Sequence, residues 1–190
     1  MVHTTEWAYI HIPKTAGLNF IKRSEHRQNV VSWVDFNLKK HENHQTLQWW
    51  LDRGIITTQK VFTFVRNPYA RIVSLYNHML TSGNNPELPE FKEFIMKYKF
   101  PTFNYLGFGF DLPQYKFIEN DQGIDVKYYK METDLPLVEK YIGYIFTDTN
   151  INTKFHAPWH TYYDTETKET VNEKYKEDFK RFNYDEYLPM

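Results

Sequence analysis

AYIHIPKTAGLNF, residues 8–20, runs from a short apolar segment into a turn holding Pro13, Lys14, Thr15, Ala16 and Gly17, and then into a predicted helix start. A strand that stops at a helix N-terminus leaves several backbone N–H groups without intrahelical partners, and the helix dipole adds partial positive charge where they point. Phosphate or sulfate fits such a turn. Lys14 supplies a full charge, Thr15 a hydroxyl, and Gly17 a position where backbone can approach a ligand with no Cβ in the way. A nucleotide triphosphatase loop would read GxxxxGK[ST], with the lysine after the second glycine. Here Lys14 precedes Gly17.

Residues 60–78, KVFTFVRNPYARIVSLYNH, repeat the layout: an apolar run from Val61 to Val65 ends at Arg66, and Asn67 and Pro68 mark a helix start. In that helix Ile72, Leu75, Tyr76 and Met79 fall at i, i+3, i+4 and i+7 and predict the buried stripe. Asn67, Arg71, Ser74 and His78 share the opposite stripe. Arg66 at the strand tip and Ser74 two turns into the helix can close on one phosphate, the arginine by its forked donors and the serine by a single hydrogen bond. For Arg71, a helix-surface or ion-pairing position is at least as good a reading as ligand contact.

The two motifs lie about fifty residues apart, as two strand-loop-helix units of one parallel sheet do. HIPKTAG resembles the 5′-phosphosulfate loop, and RNPxxRxxSxY the 3′-phosphate site, of sulfotransferases that use 3′-phosphoadenosine 5′-phosphosulfate (PAPS), particularly the carbohydrate sulfotransferase branch. The resemblance implies that Lys14, Thr15, Ala16, Gly17, Leu18 and Asn19 bind the 5′ end of the donor and that Arg66 and Ser74 bind its 3′-phosphate. Many relatives carry serine or threonine after the loop glycine, where this chain has Leu18 and Asn19. It extends to LPQYKFIENDQGIDVKYYKMETDL, residues 112–135, with Gln114 before a helix and Glu132 after a strand, and to Asn152 and the stretch from Tyr162 to Asp185.

Sulfuryl transfer to a hydroxyl needs positioning, charge stabilisation and a base, and histidine suits the last task because its pKa lies near neutrality. In KKHENHQTLQWWLDRG, residues 39–54, His44 lies just before a predicted helix, between the two anion loops. Relatives place a histidine, commonly followed two residues later by threonine, in this interval, and His44 with Thr46 matches. His44 is the expected base and Lys14 the expected catalytic cation, with His41 the runner-up. His156 and His160 read as loop packing, and His11, inside the strand, receives no role. His41 and His44 without a third ligand make a weak metal site, and the scheme requires no metal. PAP is the expected product, and the acceptor a hydroxyl on a glycan, lipid headgroup or small metabolite.

The 190 residues suffice for one well-buried domain, 1–190. A net charge of −1 and a pI near 6.7 argue against a nucleic-acid partner. With 0 Cys there is no disulfide framework or thiolate chemistry, which suits a reducing, cytoplasmic setting. No apolar run of about 18 residues marks a membrane segment, and the expectation is a stripped catalytic core like those of small bacterial or viral relatives. Nothing in the pattern selects an oligomeric state.

Strands are predicted near 7–12, 29–34, 60–65 and 125–131, and helices near 17–26, 44–53, 68–81, 89–98, 134–142 and 170–181. Alternation of this kind predicts an α/β three-layer sandwich with a mainly parallel central sheet, resembling the P-loop nucleotide-hydrolase-like sulfotransferase fold, with ligands beyond the strands' C-terminal ends. Residues 81–90 read as a loop, and the aromatic-rich 99–113 as either an acceptor wall or a loop packed over the core. Two alternatives stand beside the transferase: a P-loop kinase or nucleotide hydrolase, with VVSWVD at 30–35 ending in a metal-binding Asp35, and a catalytically inactive PAP-binding module.

Overall fold

Three parallel strands carry the sheet in a computed structural model that describes residues 2–17, 20–21, 31–32, 44–57, 59–81, 88–97, 110–142 and 156–186. They are β2 (Trp7–Ile10), β4 (Lys60–Val65) and β5 (Val126–Lys130), flanked by the two-residue strands β1 (Val2–His3) and β3 (Val31–Ser32). The order is β3-β1-β2-β4-β5; β2 and β5 both run parallel to β4, while β1 pairs antiparallel with β2 and β3. The sequence pattern does not mark β1, which is too short to show a period. Its antiparallel pairings with β2 and β3 lie at one edge of the sheet, whose three longer strands are parallel as expected of a mainly parallel sheet.

Alternation along the strands sorts side chains onto two faces. Ala8, Ile10, Val61 and Val65 pack with Ile12, Phe117, Phe182 and the buried residues of α1 (Leu47–Leu51). Trp7, Tyr9, Phe62 and Phe64 pack with Phe20, Ile21, Tyr129 and Val138 of α4 (Leu135–Ile142). Both faces are therefore covered, as near-continuous apolar strands require. The Thr63 hydroxyl, buried among them, donates to the Ile10 carbonyl at 2.7 Å and satisfies its polar group inside the sheet.

A third core is helical. Helix α2 (Pro68–Thr81) packs Tyr69, Ile72, Leu75, Tyr76 and Met79 against α3 (Phe91–Met96), α5 (Thr165–Lys174) and α6 (Lys176–Arg181). The predicted single helix at 170–181 is two helices that meet at Tyr175, whose φ of −111° and ψ of 20° leave the helical range. Its ring is buried and its hydroxyl donates to the Asp111 carbonyl at 2.7 Å. That tertiary anchor outweighs helix continuity. Short 3-10 turns span Gln114–Phe117 and Trp159–Tyr162.

Leu18, Asn19, Asp35, His41 and Asn152, most of the predicted helix at 17–26, and the greater parts of the loops at 81–90 and 99–113 lie outside the described residues. Gly17, Phe20 and Ile21 are helical. Among the described residues no helix is long and apolar enough to cross a membrane.

Candidate active site

The C-terminal ends of β2, β4 and β5 face one edge of the sheet, because the three strands are parallel. They deliver, in turn, the turn at Lys14, the Arg66–Asn67 corner and Glu132. Lys14 and Ala16 both take left-handed backbone conformations, with φ of 68° and 64°. For residues bearing a Cβ this costs roughly 1–2 kcal/mol each, a strain that clusters at functional sites. Between them Thr15 is fully buried, and its hydroxyl donates to the Ile12 carbonyl at 2.9 Å, closing the turn on itself.

Gly17 follows the turn and lies directly over the strand. A Cβ there would fall 2.1 Å from Cδ2 of His11 and 2.5 Å from the Tyr9 hydroxyl. The need for glycine therefore comes from close packing of the helix start on the rings of β2 and its extension. This gives the glycine a cause in the protein's own packing, where the sequence pattern suggests ligand approach.

Arg66 binds this turn directly: its Nη1 donates to the Lys14 carbonyl at 3.3 Å. Its backbone is gripped by Gln114, whose Oε1 accepts from the Arg66 N–H and whose Nε2 donates to the Arg66 carbonyl, both at 2.9 Å. Gln114 is itself held through its backbone N–H by Oδ2 of the buried Asp178 at 2.7 Å, and Oδ1 of Asp178 accepts from the Tyr115 N–H at 2.9 Å. Burial pushes the Asp178 carboxyl up, while Arg71 and these donors oppose the shift. Burial likewise lowers the Arg66 pKa, with Glu132 and Tyr184 opposing.

Asn67 caps α2: its Oδ1 accepts from the Tyr69 and Ala70 N–H groups at 3.0 and 3.3 Å, with Pro68 at the first helical position. The Asn67 N–H donates to Oε1 of Glu132 at 2.8 Å, and the other Glu132 oxygen accepts from the Tyr184 hydroxyl at 2.9 Å. Gln114 and Glu132 thus fix the Arg66–Asn67 corner from two sides. Ser74 sits half-buried farther along α2.

Arg71 corrects the expectation of a surface or ion-pairing residue. It is 1% exposed, and it donates through Nε to the Pro13 carbonyl at 3.2 Å and through Nη2 to the Phe110 and Leu112 carbonyls, both at 2.8 Å. It ties α2 to the first turn and to the chain before the 3-10 turn. Of its stripe Arg71 alone is buried; Asn67 and Ser74 are half-buried and His78 is exposed.

His44 stands beside the first turn. Its Nδ1 lies 3.4 Å from the His11 carbonyl, and its ring packs at 4.3 Å from the His11 ring and 4.9 Å from that of Phe110. A carbonyl can only accept, so the neutral ring that makes this contact carries its proton on Nδ1 and keeps a lone pair on Nε2. Burial lowers the His44 pKa to about 4; the His11 contact opposes this, and Lys14 adds to it. At neutral pH the ring is a free base. His156 and His160 are elsewhere in contact terms, against the rings of Tyr162 and Trp159. Among the described residues no group of three or more His, Asp or Glu side chains is arranged to hold a metal ion.

Sequence reasoning singles out Gln114 and Glu132 by resemblance. It misses Asp178 and Tyr184, whose partners are far away in sequence. A buried acidic residue on an otherwise polar helix leaves no local signal.

Compared with known proteins, residues 1–116 match a model of the sulfotransferase family. No curated protein and no solved structure matches the chain. The matched stretch runs from β1 into the 3-10 turn that begins at Gln114, and so contains the Lys14 turn, the Arg66–Asn67 corner and His44. Since it spans more than half of the sequence, the chain belongs to the sulfotransferase family.

Proposed function

We propose that this protein moves a sulfonate group from PAPS to a hydroxyl acceptor, a carbohydrate being favoured, by in-line displacement with His44 as base. The observation that carries the reading is the meeting of the two motifs. The Lys14 turn and Arg66 are hydrogen-bonded, and a neutral imidazole with its Nδ1–H occupied lies beside them.

In this scheme the turn at Lys14 to Gly17, continued by Leu18 and Asn19, takes the 5′-phosphosulfate, and Arg66 with Ser74 takes the 3′-phosphate. The acceptor oxygen attacks sulfur, its proton passes to Nε2 of His44, and the bond from sulfur to the bridging oxygen breaks. That electron pair stays on the 5′-phosphate of PAP, where the Lys14 ammonium offsets the growing charge. No step calls for a metal. The two covered faces of the sheet support the three-layer form of the fold that the resemblance implies.

Two measurements test this. Calorimetry should detect PAP binding without magnesium and little binding of ATP with magnesium. Transfer of labelled sulfate to a panel of glycans and simple alcohols should then identify an acceptor class, and Lys14→Ala and His44→Ala should each reduce turnover by roughly two or more orders of magnitude. Near wild-type turnover in the His44 variant removes it as base. PAP binding with no transfer to any acceptor points to an inactive binding module.

A further inference from the structure

The ring of His11 has no part in the scheme above, yet it is clamped between the anion turn and the proposed base. His11 is 3% exposed. On one side the α-carbon of Gly17 comes so close that a Cβ would fall 2.1 Å from the ring's Cδ2. On the other side lies the His44 ring, with centroids 4.3 Å apart and planes tilted by 49°. The backbone of the same residue supplies the carbonyl that faces Nδ1 of His44. Its own Nδ1 is buried with no hydrogen-bond partner among the described residues. A polar atom in that condition is unfavourable, so a histidine held there calls for an explanation.

We infer that His11 is a positioning residue: its ring is a packed spacer between the Gly17 turn and His44, holding the His44 imidazole at the angle where Nδ1 meets the His11 carbonyl and Nε2 stays free. The inference rests on His44 being the base for its catalytic consequence, though not for its structural one. The 3.4 Å contact between Nδ1 and the carbonyl is long for a hydrogen bond and cannot by itself fix a ring. Packing must supply the rest. What the spacer contributes is shape, so a ring without nitrogens should serve as well.

Long-range proton–nitrogen NMR of histidine-labelled protein reads the His44 tautomer directly, whether or not the protein turns over. The wild type should show His44 as the Nδ1–H form at pH 7. His11→Ala should release the ring, giving a mixture that includes the Nε2–H form, and should lower kcat at least tenfold with KM for PAPS changed less than threefold. His11→Phe should restore the single tautomer and most of kcat. Should His11→Ala not fold, His11→Leu fills the volume without a flat face and is expected to behave as the alanine variant does.

A single Nδ1–H tautomer in a folded His11→Ala or His11→Leu protein would overturn the inference. So would a folded His11→Phe protein that fails to restore the tautomer, since nitrogen chemistry would then be required. Failure of the His44 base reading looks different: the tautomer changes as described while kcat in the His11 variants and in His44→Ala stays near wild type.

Discussion

Nη1 of Arg66 donates to the Lys14 carbonyl at 3.3 Å, joining two turns that lie 52 residues apart in sequence. Either turn alone is a strand end with a cation. Joined, they put both turns on one edge of a parallel sheet, the arrangement that the proposed donor, with phosphates at both ends of its nucleoside, calls for.

Replacing Arg66 should therefore act on donor affinity first. A charge-assisted hydrogen bond contributes about 1.5–3 kcal/mol, which corresponds to roughly 10–150-fold in Kd. Arg66→Ala should weaken PAP binding by that amount in magnesium-free calorimetry. Arg66→Lys should recover only part of it, since a point charge cannot fork between a carbonyl and a phosphate. Unchanged affinity in the alanine variant would take Arg66 out of the phosphate site.

Gln114 should matter for stability more than its size suggests. Its amide grips both the N–H and the carbonyl of Arg66, and its Nε2 lies 3.5 Å from Oδ2 of Asp178. Gln114→Glu keeps the shape, removes the donor and sets a second carboxylate against the first. The expected loss is about 2–4 kcal/mol, from an unsatisfied carbonyl and a buried like-charge pair. For a chain of this size that lowers Tm by several degrees. The defect should narrow at pH 5, where the introduced carboxyl takes up a proton and regains a donor; a defect that does not depend on pH would argue against the carboxylate repulsion.

The strand-turn-helix units are legible in the sequence because their causes are local. WAYI and VFTFV are buried on both faces, Pro13 and Gly17 break the first unit, and Asn67 with Pro68 starts α2. What stayed hidden depends on partners far along the chain. Arg71 shares a stripe with polar residues, and only the carbonyls of Pro13, Phe110 and Leu112 reveal why it is buried. Asp178 likewise finds its donors at Gln114 and Tyr115. The break at Tyr175 reflects a ring drawn into the core and a hydroxyl bonded to Asp111, which no helix propensity encodes.

Gly17 should tolerate nothing larger. A Cβ falls within 3.0 Å of both the His11 ring and the Tyr9 hydroxyl, atoms buried under the helix start with little room to give. Overpacking of this kind typically costs about 1–3 kcal/mol, occasionally more. Gly17→Ala should lower Tm, and Gly17→Ala combined with His11→Ala should recover part of the loss, because the shared contact makes the two changes non-additive. Strict additivity in that cycle would mean the clash is relieved elsewhere.

Acid should remove stability before it removes activity. Burial pushes His44 down to about 4, and burial with the His44 neighbour pushes His11 well below the ordinary imidazole range. In the unfolded chain both return to the ordinary imidazole value of 6.5. Above that pH neither state holds these protons and nothing is lost. As pH falls from 6.5 toward 4, the unfolded chain binds protons that the folded chain refuses, so stability drops, with a limiting slope of about 1.4 kcal/mol per pH unit from His44 and a further loss of the same sign from His11. Urea unfolding between pH 7 and 5 should show this slope, and His44→Gln should reduce it by roughly one proton's share. Over the same range Nε2 of His44 stays unprotonated, so kcat/KM should hold level through pH 6.5 and fall only on approach to 4. An acid limb centred near 6.5 would mean that the base is a solvated histidine, and an unchanged unfolding slope in His44→Gln would mean that this ring is not shielded from protons in the folded chain.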